Sequence, residues 1–145
     1  MKIEKNIVYN ISSDCYHQHY GSDNVVTNNI FAFGKRAVLA CSIDELHTSL
    51  VVEKNVFITD KRPIFCTSQE EKGFNSALMS HHNLIYDISG REPVMFSCGG
   101  RDFALSEVQK LGMEEGSVVE NPEFSAELNI KDDSIIYTLG FKKIK

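Results

Sequence analysis

The sequence lacks any apolar run approaching the ~20 residues that a membrane-spanning helix needs, so it predicts no transmembrane helix. It also lacks an excess of basic residues, with 15 Lys and Arg against 20 Asp and Glu. The resulting net charge of -5 disfavours a nucleic-acid or acidic-membrane surface, because phosphate binding needs a basic face. The four cysteines form no C-x-x-C pair, and no signal-peptide core follows Met1. We therefore expect reduced thiols and a cytoplasmic chain.

The sequence does contain a short β-rich phrase that occurs four times. Each phrase places an asparagine before an apolar stretch: Lys5-Asn6-Ile7-Val8-Tyr9, Asn28-Asn29-Ile30-Phe31-Ala32, Lys54-Asn55-Val56-Phe57-Ile58 and His82-Asn83-Leu84-Ile85-Tyr86. Successive asparagines are 23, 26 and 28 residues apart. An apolar residue stands three positions before the asparagine in the first three phrases, whereas Ser80 stands there in the fourth. A period of this size with one strand per phrase is typical of stacked repeats.

A polar turn and a second apolar stretch follow each of the last three phrases, and each second stretch ends at a cysteine. These stretches are Ala37–Cys41, Pro63–Cys66 and Pro93–Cys98. The pattern predicts an all-β fold, a parallel β-helix of about four to five coils with three short faces per coil. Equivalent residues then form columns. The asparagines would make a ladder at one bend, where asparagine also tolerates left-handed backbone.

Two apolar columns follow from this register. We predict that one fills the interior of the stack: Ile7, Ile30, Val56 and Leu84. The other must pack against a covering or around a corner: Val8, Phe31, Phe57 and Ile85. Near-continuous apolar runs of this kind are typical of parallel strands buried on both faces.

An antiparallel sandwich or barrel is the alternative, because such folds also use many short strands. Hairpin signals are absent before residues 130–135, so the parallel fold is favoured. After residue 100 the pattern changes. It predicts a helix from about Phe103 to Leu111 capped by Asp102, a strand around Val118, and a final strand pair at Leu128–Ile130 and Ile135–Leu139. We predict one β-helix domain over residues 1–145, with coils to residue 100 and a helix plus closing strands over 101–145 that cap the stack.

Two stretches are more specific than the period. One is Tyr16-His17-Gln18-His19-Tyr20-Gly21, which leads into the Asn29 strand; the other runs from Leu105-Ser106-Glu107-Val108-Gln109 through Asn121-Pro122-Glu123-Phe124 to Gly140-Phe141-Lys142. Both resemble the C-terminal coils and closing segment of right-handed parallel β-helix proteins of the pectate-lyase-like superfold, grouped with glycoside hydrolase family 141. The resemblance covers almost the whole chain, which looks like the last few coils of longer, exported proteins.

The chain departs from the pattern of that family at several positions. Val108 stands where tryptophan is usual, and Glu114 stands where aspartate is usual. Glu120-Asn121-Pro122 replaces the usual A-D-P. These departures indicate relaxed selection on the ancestral chemistry, or a fragment put to another use.

The resemblance implies a carbohydrate groove lined by His17 and His19, with Tyr20 as a stacking or hydrogen-bonding neighbour and His47 contributed by the next coil. Two other interpretations remain open. The histidines could form a polar column that fixes a bend, or a zinc pair completed by His47 or Glu45. We expect no metal and no cofactor.

Glycoside hydrolysis usually needs two carboxylates that face each other across the scissile bond. The carboxylates nearest the histidine motif are Asp14, Asp23, Asp44, Glu45, Asp60 and Asp87. No spacing distinguishes any of them, so the catalytic carboxylates stay unassigned and the question of enzymatic activity stays open.

Cysteines and arginines offer two further candidates. Cys41 with His47, or Cys66 with His81, could form a thiol nucleophile and its base, but an internal column of small apolar thiols is favoured. Arginines follow the first strand of three successive coils at Arg36, Arg62 and Arg91. This flank could bind a carboxylate-bearing sugar, although a solvated edge is favoured.

Two functions follow. The first is a truncated β-helix of the carbohydrate-active kind, with an oligosaccharide-binding groove and weak or no hydrolysis. The second is a non-enzymatic interaction module, a homo-oligomer that associates through the unpaired strand edge of its first coil.

Overall fold

The computed structural model describes residues 1–42, 47–67, 78–98 and 100–144. Within these ranges the chain is mostly β, with one short α-helix. Twelve strands form four repeats: β1 Lys2–Glu4, β2 Ile7–Tyr9 and β3 Asp14–Gln18; β4 Asn24–Thr27, β5 Ile30–Ala32 and β6 Ala37–Cys41; β7 Leu50–Glu53, β8 Val56–Thr59 and β9 Phe65–Thr67; β10 Leu78–His81, β11 Leu84–Asp87 and β12 Val94–Cys98. They are followed by β13 Arg101–Ala104, α1 Leu105–Lys110, β14 Val118–Val119 and a 3-10 helix Ile135–Leu139. No helix in the described ranges is long and apolar enough to cross a membrane.

Each repeat contributes one strand to each of three sheets. Sheet A has the order β1-β4-β7-β10, sheet B β2-β5-β8-β11-β14, and sheet C β3-β6-β9-β12-β13. Strands from successive repeats pair in parallel, whereas β13 runs antiparallel to β12. The prediction of a mostly β chain with parallel sheets and a short helix is confirmed, and the topology is compatible with a β-helix-like fold.

The predicted asparagines form a hydrogen-bonded ladder at the corner between sheets A and B. The backbone N–H and the Nδ2 of Asn29 both donate to Oδ1 of Asn55, at 3.0 and 3.1 Å. Asn55 donates in the same way to Asn83, at 3.0 and 3.2 Å, and Asn6 donates to Asn29 at 3.0 Å from both atoms. Asn83 ends the series by donating its N–H to Oγ of Ser117 at 2.9 Å. The ladder prediction is therefore confirmed.

The left-handed backbone at this corner belongs to the residue that precedes each asparagine. Lys5, Asn28, Lys54 and His82 have φ angles of 61, 57, 55 and 53°. The expectation that the ladder asparagines use their tolerance of left-handed backbone is therefore wrong. They are suited to their positions by the donors and acceptors of the side-chain amide.

The two apolar columns of sheet B lie on opposite faces, because side chains alternate along a strand. The interior of the stack receives Val8, Phe31, Phe57 and Ile85, which pack with apolar residues of sheets A and C. The outer face receives Ile7, Ile30, Val56 and Leu84. The prediction that Ile7, Ile30, Val56 and Leu84 fill the interior is therefore wrong. Both columns are apolar, so the sequence pattern alone could not separate the inner face from the outer one.

The outer face of sheet B is covered by the closing segment, residues 120–144. Leu128, Ile136 and Phe141 of this segment pack against Ile30 and Leu84. The segment is tied to the second repeat at Asn28, whose Nδ2 donates to the carbonyl oxygen of Lys142 at 2.9 Å and whose Oδ1 accepts from the Lys142 N–H. This covering accounts for the long apolar runs of sheet B.

The predicted helix exists but begins later than expected. Residues 101–104 form strand β13, so Asp102 is not the helix cap; α1 starts at Leu105, and Glu107 accepts from the N–H of Ala104 at 2.8 Å. The strand predicted around Val118 is present as β14. The strand predicted at Ile135–Leu139 is instead a 3-10 helix. Ser134 caps its start, and Gly140 ends it at a φ of 96°.

Candidate functional site

His17 lies on the outer face of sheet C, in strand β3. In the same strand, Tyr16 packs partly against the core and Gln18 is buried, whereas His17 is exposed. Parallel register places His17 beside Ala40 of β6, and Ala40 beside Cys66 of β9. The imidazole therefore stands at the first-repeat end of a column of small side chains.

Asp14 and Arg36 hold the base of the site together. The Asp14 side chain is only 1% exposed, and its Oδ1 accepts from Nε of Arg36 at 3.0 Å while its Oδ2 contacts Nη2. Hydrogen bonding to Asp14 raises the pKa of Arg36, so the guanidinium is always charged. The turn that delivers Arg36 requires Gly34, because a Cβ there would lie 2.0 Å from the carbonyl oxygen of Ala37.

The His17 imidazole contacts three side chains. Its Nε2 hydrogen-bonds Oγ of Ser42, and its Nδ1 lies 3.3 Å from Nη2 of Arg36 and 3.4 Å from Oδ2 of Asp14. Nδ1 therefore faces both a donor, the Arg36 guanidinium, and an acceptor, the Asp14 carboxylate, while Nε2 faces a hydroxyl that can donate or accept. The arrangement presents a set of fixed polar groups on the face of the sheet.

The other three predicted groove residues lie in turns beyond the strands. β3 ends at Gln18, so His19 and Tyr20 follow it, and both are exposed; their rings meet edge to face with centroids 4.8 Å apart. His47 also lies in a turn, where its Nε2 is 3.4 Å from the carbonyl oxygen of Gly21. The structure thus joins His19 to Tyr20, and His47 to the turn that follows them. His17 contacts a different set of residues, on the sheet.

Gln18 was given no role by the sequence interpretation, yet it organises this corner. Its buried Oε1 accepts from Nδ2 of Asn24 at 3.0 Å and from the hydroxyl of Tyr16 at 3.1 Å. Its Nε2 donates to the carbonyl oxygen of Ser49 at 3.3 Å. A buried amide with its groups satisfied fixes the end of β3 against the turns of repeats 2 and 3. In the sequence, the position of Gln18 between two histidines was the signal that could have indicated this role.

The candidate carboxylates are mostly structural. Asp14 is engaged by Arg36, and Asp87 accepts from Nε of Arg91 at 2.9 Å and from the Ser89 hydroxyl at 2.7 Å. Burial alone would raise the pKa of Asp87, but the bonds from Ser89, Arg91 and the Lys61 N–H outweigh it and lower the pKa. Asp23 and Asp60 are exposed, and Asp44 and Glu45 lie outside the described residues.

The flank of three arginines is largely committed to these acids. Arg36 and Arg91 each bind a buried aspartate of their own corner, whereas Arg62 lies exposed at the equivalent place in repeat 3. The two paired guanidiniums are partly neutralised, which weakens the interpretation of the flank as an anion-binding ladder.

The predicted cysteine column is only partly correct. Register places Cys41 beside Thr67, and Thr67 beside Cys98, while Cys66 occupies the neighbouring column. Burial raises the pKa of Cys15 and of Cys41 to about 11. A thiol with such a pKa is protonated at neutral pH, so Cys41 is unsuited to nucleophilic catalysis.

The sequence interpretation also missed a buried acid, Glu114. Its side chain is fully buried, and Oε2 accepts from the Ser117 hydroxyl at 2.5 Å. Ser80 and Asn83 face the same carboxyl group, yet Oε1 has no hydrogen-bond partner within the described residues. Burial is the main reason that the pKa of Glu114 is raised. The signal was Ser80, the one exception to the apolar position of the repeat.

The described residues contain no group of three or more His, Cys, Asp or Glu side chains that could hold a metal ion. Comparison with protein-family models, with curated proteins and with solved structures found no match to this chain. The resemblance to glycoside hydrolase family 141 therefore remains a sequence-based hypothesis.

Proposed function

We propose that this chain is a right-handed parallel β-helix that binds an oligosaccharide on the outer surface around His17, with weak or no glycoside hydrolysis. The support for the handedness is general. A connection that returns to a parallel strand of the same sheet is right-handed in about 98% of cases, and each sheet here grows by such connections.

The observation that carries the binding proposal is the fixed array of His17, Arg36 and Ser42 on an exposed sheet face. The three side chains hold one another, so their hydrogen-bonding groups are oriented before a ligand arrives. Sugar hydroxyls both donate and accept, which suits a mixed array of this kind. Tyr20 is 64% exposed in the adjoining turn and offers an aromatic face for the apolar side of a sugar ring.

Weak or no hydrolysis is proposed because the chemistry needs a free carboxylate pair. The carboxylate within the array is Asp14, which is buried and bound by Arg36. A carboxylate buried and bound in this way is not accessible to a sugar as a nucleophile or as a proton donor.

Titration calorimetry with pectic and xylan oligosaccharides tests the proposal. We expect heat of binding with the unmodified chain and its loss in Tyr20→Ala and in His17→Ala. The matched control is Tyr9→Ala, because Tyr9 is also an exposed tyrosine, 44% exposed, but lies on sheet B. Absence of binding to every oligosaccharide, or equal loss in Tyr9→Ala, would contradict the proposal.

A second candidate is an interaction module that self-associates through its first repeat. The observation that favours it is the incomplete burial of that repeat. Ile3 and Val8 are half-buried, whereas their register partners Val26 and Phe31 are almost completely buried. Apolar columns that end half-covered at a strand edge favour contact with another chain.

A further inference from the structure

The turns that connect sheet B to sheet C form an open cleft on the surface of the first three repeats. Its volume of about 550 Å³ lies within the range of ~300–1,000 Å³ that is typical of small-molecule sites. We call it the Arg62 cleft and define it by its lining residues, Asn10, Phe33, Gly34, Lys35, Asp60 and Arg62. It shares no residue with the array of His17, Arg36 and Ser42, so it is a separate candidate site.

Arg62 has no internal acid, in contrast to the arginine at the corresponding turn of repeat 4. There Arg91 donates from Nε to the buried Asp87 at 2.9 Å. Parallel register pairs Asp87 with Thr59, so a threonine stands in repeat 3 where repeat 4 has the acid. The Thr59 hydroxyl donates to the backbone carbonyl oxygen of Arg62 at 3.0 Å, and the guanidinium has no partner among the described residues. An exposed guanidinium without an internal acid is suited to bidentate binding of an oxyanion.

The charges that line the cleft favour an anion with a single negative charge. Lys35 is exposed and, like Arg62, forms no ion pair with the residues that the structure describes. Asp60 is the one carboxylate of the lining, and it is also exposed and outside any ion pair in the described part of the chain. Two cations and one carboxylate leave one net positive charge. This balance suits a carboxylate, whereas the Asp60 side chain repels the second charge of a phosphate dianion.

Phe33 supplies an apolar wall of the cleft. Its backbone N–H donates to the carbonyl oxygen of Ile58 at 3.0 Å, as the N–H of Asn10 donates to Ala32 at 3.1 Å in the preceding repeat. Both residues have left-handed backbone, with φ angles of 57 and 56°, which asparagine tolerates but which strains a phenylalanine. The ring of Phe33 packs against Phe124, with centroids 6.4 Å apart, and is half-buried. A flat apolar side chain beside two cations suits a ligand that carries a ring next to its charge.

We propose that the Arg62 cleft binds a small organic acid with one carboxylate attached to a ring. Arg62 holds the carboxylate through its planar fork, and Lys35 adds a second positive charge. The ring of the ligand lies against Phe33, and a hydroxyl group on it donates to Asp60 or bonds the exposed amide of Asn10. The proposal does not depend on oligosaccharide binding around His17.

Chemical-shift titration by NMR with para-hydroxybenzoate tests the proposal, because this probe has one carboxylate, one ring and one hydroxyl group. We expect saturable shifts at the backbone amides of Phe33, Lys35 and Arg62. The neutral para-hydroxybenzamide has nearly the same shape without the charge, and it should bind at least about tenfold more weakly.

Two pairs of variants separate the local charges from the net charge of the chain. Arg62→Gln should raise the Kd of para-hydroxybenzoate about tenfold. Its control, Lys110→Gln, makes the same change in net charge on α1 and should leave the Kd unchanged. Asp60→Asn removes the opposing carboxylate and should lower the Kd about threefold. Its control is Asp23→Asn, which neutralises another exposed aspartate and should have no effect.

Thr59→Asp tests the contrast with repeat 4 directly. It gives Arg62 an acid at the position of Asp87, so binding should weaken about tenfold although Arg62 is still present. Thermal unfolding checks that each variant is folded, and where Thr59→Asp does not fold, Arg62→Gln and Asp60→Asn decide the question.

Four outcomes overturn the proposal. They are the absence of shifts around Arg62, equal binding of the acid and its amide, the same loss in Lys110→Gln as in Arg62→Gln, and tighter binding of phenyl phosphate than of para-hydroxybenzoate. The last outcome would replace the carboxylate by a phosphate as the ligand class.

Discussion

The Ser117 hydroxyl donates to Oε2 of Glu114 at 2.5 Å, and the Oγ atom of the same serine accepts a hydrogen bond from the N–H of Asn83. This contact joins the last step of the asparagine ladder to the one glutamate that is fully buried among the described residues. The ladder thus ends on a carboxyl group inside the protein, with Ser80 beside it. The polar cluster replaces the apolar side chains that occupy the same columns in earlier repeats, such as Val52 at the position of Ser80.

Glu114 should make the protein less stable as the pH rises. Its folded-state pKa is raised, so the neutral acid is favoured in the folded state. The corresponding stability is fully present below the unfolded pKa and is lost as the pH rises through the folded pKa. We expect Glu114→Gln to raise the free energy of unfolding at pH 8 by about 1–2 kcal/mol and to flatten its pH dependence. Urea denaturation between pH 4 and pH 8 measures both.

The control for this prediction is Glu115→Gln, which changes the adjacent but exposed glutamate. It should shift the urea midpoint little at any pH. A pH dependence in Glu114→Gln that matches the unmodified protein would show that another group is responsible.

Asn55 should be among the polar residues most sensitive to substitution. It is fully buried; its Nδ2 donates to the carbonyl oxygens of Val26 and Glu53 at 2.9 Å, and its Oδ1 accepts two bonds from Asn29. Asn55→Ala leaves a buried N–H and two carbonyl groups without these partners. We expect a loss of about 3 kcal/mol in the free energy of unfolding, measured by urea denaturation with an unchanged m-value.

Asn129→Ala is the matched control for the ladder, because Asn129 is exposed and bonds only locally with Ser125. Its expected effect is below about 0.5 kcal/mol. Similar losses in the two variants would show that the ladder adds little stability.

The closing segment should contribute substantially to stability through Ile136. This side chain is fully buried against the outer face of sheet B. Ile136→Ala removes buried methyl groups and leaves a cavity, so we expect a loss of about 2–4 kcal/mol in thermal or urea unfolding. Ile88→Ala changes an isoleucine that is 44% exposed and should cost less than about 0.5 kcal/mol. A small loss in Ile136→Ala would mean that the segment is only loosely docked.

The four cysteine thiols should differ in reactivity. With a pKa of about 11, Cys15 and Cys41 are only about 0.1% ionised at pH 8, and Cys98 is buried. Cys66 is half-buried in the outer column of sheet C and should be alkylated first. Mass spectrometry of a timed iodoacetamide reaction identifies the order, and all four should react quickly in urea. Labelling of Cys15 as fast as Cys66 in the folded protein would contradict the assignment.

The sequence could predict the ladder because its chemistry is local and repeated. Asn6, Asn29, Asn55 and Asn83 recur at nearly constant spacing, and only a parallel register brings such residues together. The parallel sheets followed from the same period. The helix was predicted too, although its start at Leu105 depends on β13, whose antiparallel pairing leaves no local signal.

The candidate site was less accessible to sequence reasoning. The motif identified His17, His19 and Tyr20 as candidates for a groove lining, and the structure places all three side chains at the surface. It could not reveal that Arg36, 19 residues later, contacts His17, because that contact arises from the pairing of β3 with β6. Nor could the motif show that the Asp14 carboxylate is bound by Arg36.

By itself, the sequence determined the repeat, its parallel stacking and the asparagines that mark one corner. Only the tertiary structure decided which side of sheet B faces inward. Ile30 and Phe31 point to opposite faces of the strand and are both apolar, so the sequence pattern fits either face as the inner one. The docking of residues 120–144 on one face resolved that ambiguity. The same folding brought Glu114 against Ser80, where the loss of an apolar residue in the repeat makes room for a buried acid. A period fixes which residues are equivalent, but long-range packing fixes what each of them contacts.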